Sequence, residues 1–179
     1  MDADLLLLQR MRLGDTRAVE TFVNKYYPKI LQYCRLHTNG LQDAEDVTQD
    51  TFEAFFRTLD RYRHYGKAAN YLYVIAANGC RDLHRRKQTL PLDQLPEPPD
   101  GSQGQLDLRL DLEGAFRSLP EDIRETAVLF FLQGCKQREI ARILGIGLPL
   151  VKYRVKRARA LLSAYLGKEE PHGTLGTRM

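Results

Sequence analysis

QREIARILGIGLPLVKYRVKRARALLSAYL, residues 137–166, decides the fold. A short helix over Gln137 to Leu144 is broken by Gly145-Ile146-Gly147, and Pro149 opens a second helix that runs to about Leu166. That spacing suits a helix-turn-helix whose second helix lies in a DNA groove. On the second helix Val151, Val155, Ala158, Leu162 and Tyr165 form one apolar stripe, which leaves Lys152, Arg154, Lys156, Arg157 and Arg159 facing outward. A solvated basic face is the plain alternative, but after a glycine turn such a row suits phosphates and the major groove.

Upstream, Pro120 with Glu121 and Asp122 has the composition of a helix first turn, with Ile123, Ala127, Phe130 and Phe131 as its expected apolar face. Near the N-terminus Asp15 is placed to cap a helix carrying Val19, Phe22, Val23, Tyr26 and Ile30, with Pro28 as a candidate kink. Asp43 is placed to cap another carrying Val47, Phe52, Phe55, Phe56 and Leu59. A third run, Tyr71 to Lys87, sets Leu72, Ile75, Ala76 and Leu83 on one face and ends in a basic cluster. No Val/Ile/Thr-rich alternation occurs, so the expected fold class is all-α, in two small helical domains.

Charge divides the chain further. Residues 1–87 carry a net +3, residues 88–113 a net −5 and residues 114–166 a net +6, with a neutral tail over 167–179, which gives the +4 of the whole. The middle segment holds Pro91, Pro96, Pro98, Pro99, Gly101 and Gly104 with no apolar period and reads as an acidic, flexible linker. The expected domains are therefore 1–87 and 114–166, joined by 88–113.

Other classes are disfavoured. Of the 179 residues 43% are apolar and 28% charged, ordinary for a globular chain. The longest apolar run, Ala127 to Leu132, is too short for a bilayer, and the acidic start with only Leu5 to Leu8 behind it does not make a secretory signal. A cytoplasmic protein without membrane insertion is expected. Cys34, Cys80 and Cys135 lie far apart with no C-x-x-C, so neither a disulfide framework, a zinc site nor any other metal or cofactor is expected. No nucleophile–base pair or phosphate-cradling glycine motif points to an enzyme.

Several stretches together resemble bacterial sigma factors of the extracytoplasmic-function (ECF) group. EIARILG (139–145) and VKYRVKRAR (151–159), preceded by Leu119-Pro120, resemble region four of the group. DAEDVTQDTFEAFF (43–56) followed by LDRY (59–62), and YLYVIAANGCRDLHRR (71–86), resemble region two. The resemblance implies that Asp46, Gln49, Asp50 and Glu53, on one face of a helix by their three and four spacing, contact the clamp helices of the largest subunit of core RNA polymerase. It implies that the loop between Tyr62 and Tyr71, with Arg63, His64, Tyr65, Lys67 and Asn70, receives a flipped base of the promoter minus-ten element. Arg81, His84, Arg85, Arg86 and Lys87 would then follow the duplex at its upstream edge, with Asn78 one turn earlier either bonding DNA or supporting the helix, and Lys152, Tyr153, Arg154, Lys156 and Arg157 would face the minus-thirty-five element.

The flap region of polymerase and promoter DNA complete the implied partners, and an anti-sigma factor is common in the group. By the same resemblance the linker acids Asp93, Glu97, Asp100 and Asp107 would thread toward the polymerase cleft. A stand-alone helix-turn-helix regulator with a helical sensor or dimerisation half is the alternative, and a redox sensor using Cys34, His37, Cys80 and Cys135 a more distant one. The chain departs from the group's pattern at Ala68 and Tyr71, which stand where an aromatic and Trp are usual. Lys136 replaces a capping hydroxyl, and Leu150 and Tyr153 replace small hydroxyl residues.

Overall fold

The computed structural model describes residues 3–89 and 107–167, and among these every regular element is a helix. The N-terminal module comprises α1 (Ala3–Arg12), α2 (Thr16–His37), α3 (Leu41–Thr58) and α4 (Ala68–Gln88). The C-terminal module comprises α5 (Asp107–Arg117), α6 (Glu121–Ala127) with a π-helical turn over Val128–Leu132, α7 (Gln137–Leu144) and α8 (Leu148–Leu166). The linker residues 90–106, with their prolines and Asp93, Glu97 and Asp100, and the tail from 168 onward lie outside the described residues. Helix α5 already includes 107–113, the end of the stretch that composition assigns to the linker.

In the first module the 3.6-residue period closes an aromatic core. Phe22 of α2 stacks on Phe55 of α3 at 4.9 Å, and Phe55 in turn meets Tyr62 and Tyr71. Asp15 caps α2, accepting from the backbone N–H groups of Arg17 and Ala18 at 3.0 and 3.2 Å. The helix continues through Pro28 without ending. Asp43 does not cap α3: the helix starts earlier, on an extended Gly40, and the Asp43 carboxylate instead takes Lys87 of α4. Helices α3 and α4 approach closely at Gly79, where an added Cβ would sit 3.0 Å from Val47 Cγ1.

Helix α1 has no strong periodicity of its own and is held by tertiary contacts. Leu8 and Met11 are buried, and the buried Asp4 accepts from Lys25 Nζ at 2.6 Å and from the Tyr26 hydroxyl. Burial raises the pKa of Asp4, but the Lys25 and Tyr26 hydrogen bonds and the Lys25 charge outweigh it, and the net result lies below the usual carboxylate value.

In the second module Pro120 precedes the helix as its N-cap residue instead of lying in its first turn. The π turn adds a residue to the helical repeat, so that Gln133 N–H donates to the Val128 carbonyl at 3.1 Å. Ile123 and Ala127 are buried as expected, but Val128 and Leu129 at the start of the turn fill the core as well, and Phe131 within it lies exposed under the Arg159 guanidinium. Helix α7 ends at Gly145 in the left-handed region, φ 66°, where a side chain would cost about 1 kcal/mol. At its start Lys136 supplies no side-chain cap, but Glu139 accepts from the Lys136 backbone N–H at 2.7 Å, half of a capping box. The modules pack together, α4 against α7 and α2 against α5 and the π turn.

Candidate polymerase and promoter interfaces

On α3 the period that buries Val47, Thr48, Thr51, Phe52 and Phe55 turns Asp46, Gln49, Asp50 and Glu53 to solvent on the opposite face. Gln42 donates to Asp46 at 3.0 Å and Gln49 to Glu53 at 3.2 Å, so this row is pre-ordered along the helix. Beside it runs a groove of about 630 Å³ between α3 and α4, lined by Asp43, Asp46, Asp50, Arg57, Asn78 and Arg86 among others. An acidic ridge next to a mixed-charge groove suits a basic, helical partner surface.

The loop from α3 to α4 divides its aromatic residues by role. Tyr73 is buried, and Tyr71 stacks on Tyr62 at 5.1 Å while its hydroxyl lies 3.5 Å from Thr58 Oγ1. His64 Nδ1 is 3.3 Å from the Tyr62 hydroxyl. Tyr65 stands out, 77% exposed, over a recess of about 360 Å³ lined by Thr58, Arg61, Tyr62, Arg63 and Tyr71. An exposed phenol ring with guanidinium groups beside it can stack an unpaired base and hold its phosphate. Arg61 belongs to this recess although its position in the sequence did not single it out; its place next to Tyr62 in the quoted LDRY stretch was the available signal.

The remaining basic candidates of the first module are largely paired. Arg81 binds Glu125, Lys67 lies 3.4 Å from Glu139, and His84 lies 4.0 Å from Glu121, all three acids belonging to the second module. Asn70 also hydrogen-bonds Glu139, which these contacts and the Lys136 N–H hold below the ordinary glutamate pKa against the opposing effect of burial. Arg85 pairs with Asp82 at 3.3 Å and Lys87 with Asp43, while Asn78 lies exposed with its Oδ1 3.5 Å from Arg81 Nη1. Arg86 is exposed along the α3–α4 groove.

On α8 Val151, Val155 and Ala158 are buried, and Lys152, Tyr153, Lys156 and Arg157 face solvent as the stripe requires. Arg154 does not. It folds back on α6 to Asp122, leaving its side chain 13% exposed. Among the described residues no cluster of His, Cys, Asp and Glu could hold a metal ion, and no helix is long and apolar enough to cross a membrane. The three cysteines are free and buried.

Residues 22–89 match the family model for sigma-70 region 2, and residues 109–162 that for sigma-70 region 4. The chain is 30% identical over 176 residues to the ECF RNA polymerase sigma factor ShbA of Streptomyces griseus, covering 88% of this chain and 92% of ShbA. It belongs to the sigma-70 family, in the ECF group. SigE of Mycolicibacterium smegmatis, another ECF sigma factor, is 32% identical over 168 residues, 87% of this chain; the chain spans 65% of the length of SigE. The solved structure of CnrH in complex with the cytosolic domain of CnrY superposes with a TM-score of 0.72 at 30% identity, over 94% of this sigma factor and 99% of CnrH. CnrH is a sigma factor of Cupriavidus metallidurans. The two modules of this sigma factor are thus its regions two and four.

Proposed function

We propose that this ECF sigma factor binds core RNA polymerase through the α3 ridge and groove, opens and reads the minus-ten element with the α3–α4 loop and α4, and reads the minus-thirty-five element with α8. The observation that carries this reading is the pairing, within one chain, of an exposed acidic helix face with an exposed aromatic loop and a basic recognition helix, in the order of regions two and four. Duplex opening explains why polymerase is needed. Separating about a dozen base pairs costs roughly 15 kcal/mol at about 1.4 kcal/mol per stacking step, whereas each captured base returns about 1–3 kcal/mol. The chain accordingly acts in the cytoplasm as an initiation and specificity factor and carries no catalysis of its own. A stand-alone regulator would bind a symmetric operator without polymerase.

Size-exclusion co-elution with bacterial core RNA polymerase, followed by run-off transcription from pooled genomic fragments, tests the reading. Co-elution with new start sites is the expected result. Absence of co-elution together with tight binding to DNA alone would overturn it.

A further inference from the structure

We propose that α1 braces the base-capturing loop, with Arg12 as a positioning residue that holds the start of the loop in place for the promoter strand. The proposal rests on the reading of the α3–α4 loop as the minus-ten site.

Helix α1 reaches both ends of that loop. At its C-terminal end the Arg12 guanidinium donates through Nε to the carbonyl of Leu59 at 3.2 Å and through Nη2 to the carbonyl of Tyr62. Leu59 is the C-cap of α3, where carbonyls run short of helical N–H donors and a cation complements the dipole. At the other end of α1, Asp4 accepts from the backbone N–H of Ala68, the first residue of α4, where an acid complements the dipole. Residues 4 and 12 stand about 12 Å apart along a helix, and Leu8 and Met11 between them are buried. Helix α1 is itself fixed to α2, through Asp4 with Lys25 and Tyr26 and through Arg10 with Asp15 at 2.7 Å. It therefore sets the two ends of the loop against a rigid frame.

What Arg12 holds is the wall of the base recess. Tyr62 lines the recess under Tyr65, stacks on Tyr71 at 5.1 Å and meets Phe55 at 5.4 Å. Its own N–H donates to the Thr58 carbonyl at 2.8 Å, so a shift of the Tyr62 backbone moves the ring on which the recess is built. Arg12 precedes residues 22–89, the stretch that matches region two, so the loop depends on a residue outside that stretch. Reaching two carbonyls three residues apart needs the fork of a guanidinium; the ammonium of a lysine is a single point charge. A phosphate would accept either group, which separates positioning from direct contact with DNA.

The test compares Arg12→Ala and Arg12→Lys with a control, Arg17→Ala, which removes an exposed cation from α2. Hydrogen exchange read by mass spectrometry on the free chain follows the loop. Amides of residues 60–66 should exchange about tenfold faster in both Arg12 variants, and at the wild-type rate in the control. With core polymerase and a promoter fragment recovered by run-off transcription, 2-aminopurine in the minus-ten strand follows opening. Both Arg12 variants should slow opening about tenfold, with affinity for the closed complex within about twofold of wild type. A residue that only stabilised the fold would lower the amplitude of opening and leave its rate unchanged.

Unchanged exchange over 60–66 overturns the brace, and so does opening at the wild-type rate by Arg12→Lys, which would make Arg12 a charge for a phosphate. Opening slowed by Tyr65→Ala but not by Arg12→Ala overturns it as well. Failure of the loop reading has its own signature: exchange is faster in Arg12→Ala, yet neither Arg12→Ala nor Tyr65→Ala slows opening. Should Arg12→Ala unfold, Arg12→Lys keeps the stem and the charge, and the same two readouts decide.

Discussion

Arg154 of α8 reaches back to Asp122 of α6, Nη2 to Oδ2 at 3.4 Å, and so leaves the surface that its position on the recognition helix would give it. Its Nε is buried without a hydrogen-bond partner, a cost accepted for packing the guanidinium between two helices. Arg154→Ala should therefore lower thermal stability, by about 1 kcal/mol. Lys156→Ala, at an exposed position one turn away from Lys152, should leave the melting temperature unchanged and weaken DNA binding with a salt slope shallower by about one. Calorimetry and salt-dependent DNA binding on the two variants check this division. An Arg154→Ala protein of unaltered stability would contradict it.

His37 carries a pH-dependent contribution. Its ring stacks on Tyr33 at 4.1 Å and its Nδ1–H donates to the Tyr33 carbonyl at 2.7 Å, while Nε2 is buried without a partner. Burial first, then the nearby Arg124, Arg117 and Arg81 charges, bring its pKa down to about 4 from the ordinary 6.5. Between those values the unfolded chain binds the extra proton, so stability rises with pH across this window and is lost as pH falls through it. From pH 7 to pH 5 the wild type should lose about 2 kcal/mol more than His37→Gln does. Urea titrations of both proteins at the two pH values measure the difference, and parallel losses would refute it.

The α3 ridge provides the polymerase prediction. Asp46 and Gln49 are exposed and bond along their own helix, so Asp46→Ala/Gln49→Ala should leave the melting temperature within about 3 °C of wild type. Association with core RNA polymerase should fall at least about tenfold. Co-elution at matched concentrations reads the loss. A double variant that binds as well as wild type would move the contact off this face.

Much of this arrangement was legible in the sequence because it is local. The α7–α8 turn needs Gly145 at positive φ and was placed by its glycines, and Asp15 announced the start of α2 by the chemistry of a cap. The features that were not legible depend on partners far along the chain. Helix α1 owes its place to Asp4 meeting Lys25 and Tyr26, and Asp43 leaves its capping position for Lys87. In and around the π turn Val128 and Leu129 are buried and Phe131 is exposed, an arrangement that a regular helical period does not announce. Among the site residues, the sequence identified the cations Lys67 and Arg81 but not Glu139 and Glu125, which hold them across the module boundary.

Tyr65 and Tyr71 separate capture of a base from support of the loop. Tyr71 is sandwiched against Tyr62 and Phe55, so Tyr71→Ala removes core contacts and should destabilise region two by about 3 kcal/mol. Tyr65 lines the recess, is 77% exposed and lies outside the buried core, so Tyr65→Ala should leave stability unchanged. Its loss should fall on opening instead: with polymerase present, stacking worth about 1–3 kcal/mol per base corresponds to a drop in open complex of roughly fivefold to a hundredfold. Tyr65→Phe keeps the ring and should retain most of it. Fluorescence of 2-aminopurine placed in the minus-ten strand follows opening directly, and equal signals from wild type and Tyr65→Ala would assign base capture to another ring of the loop.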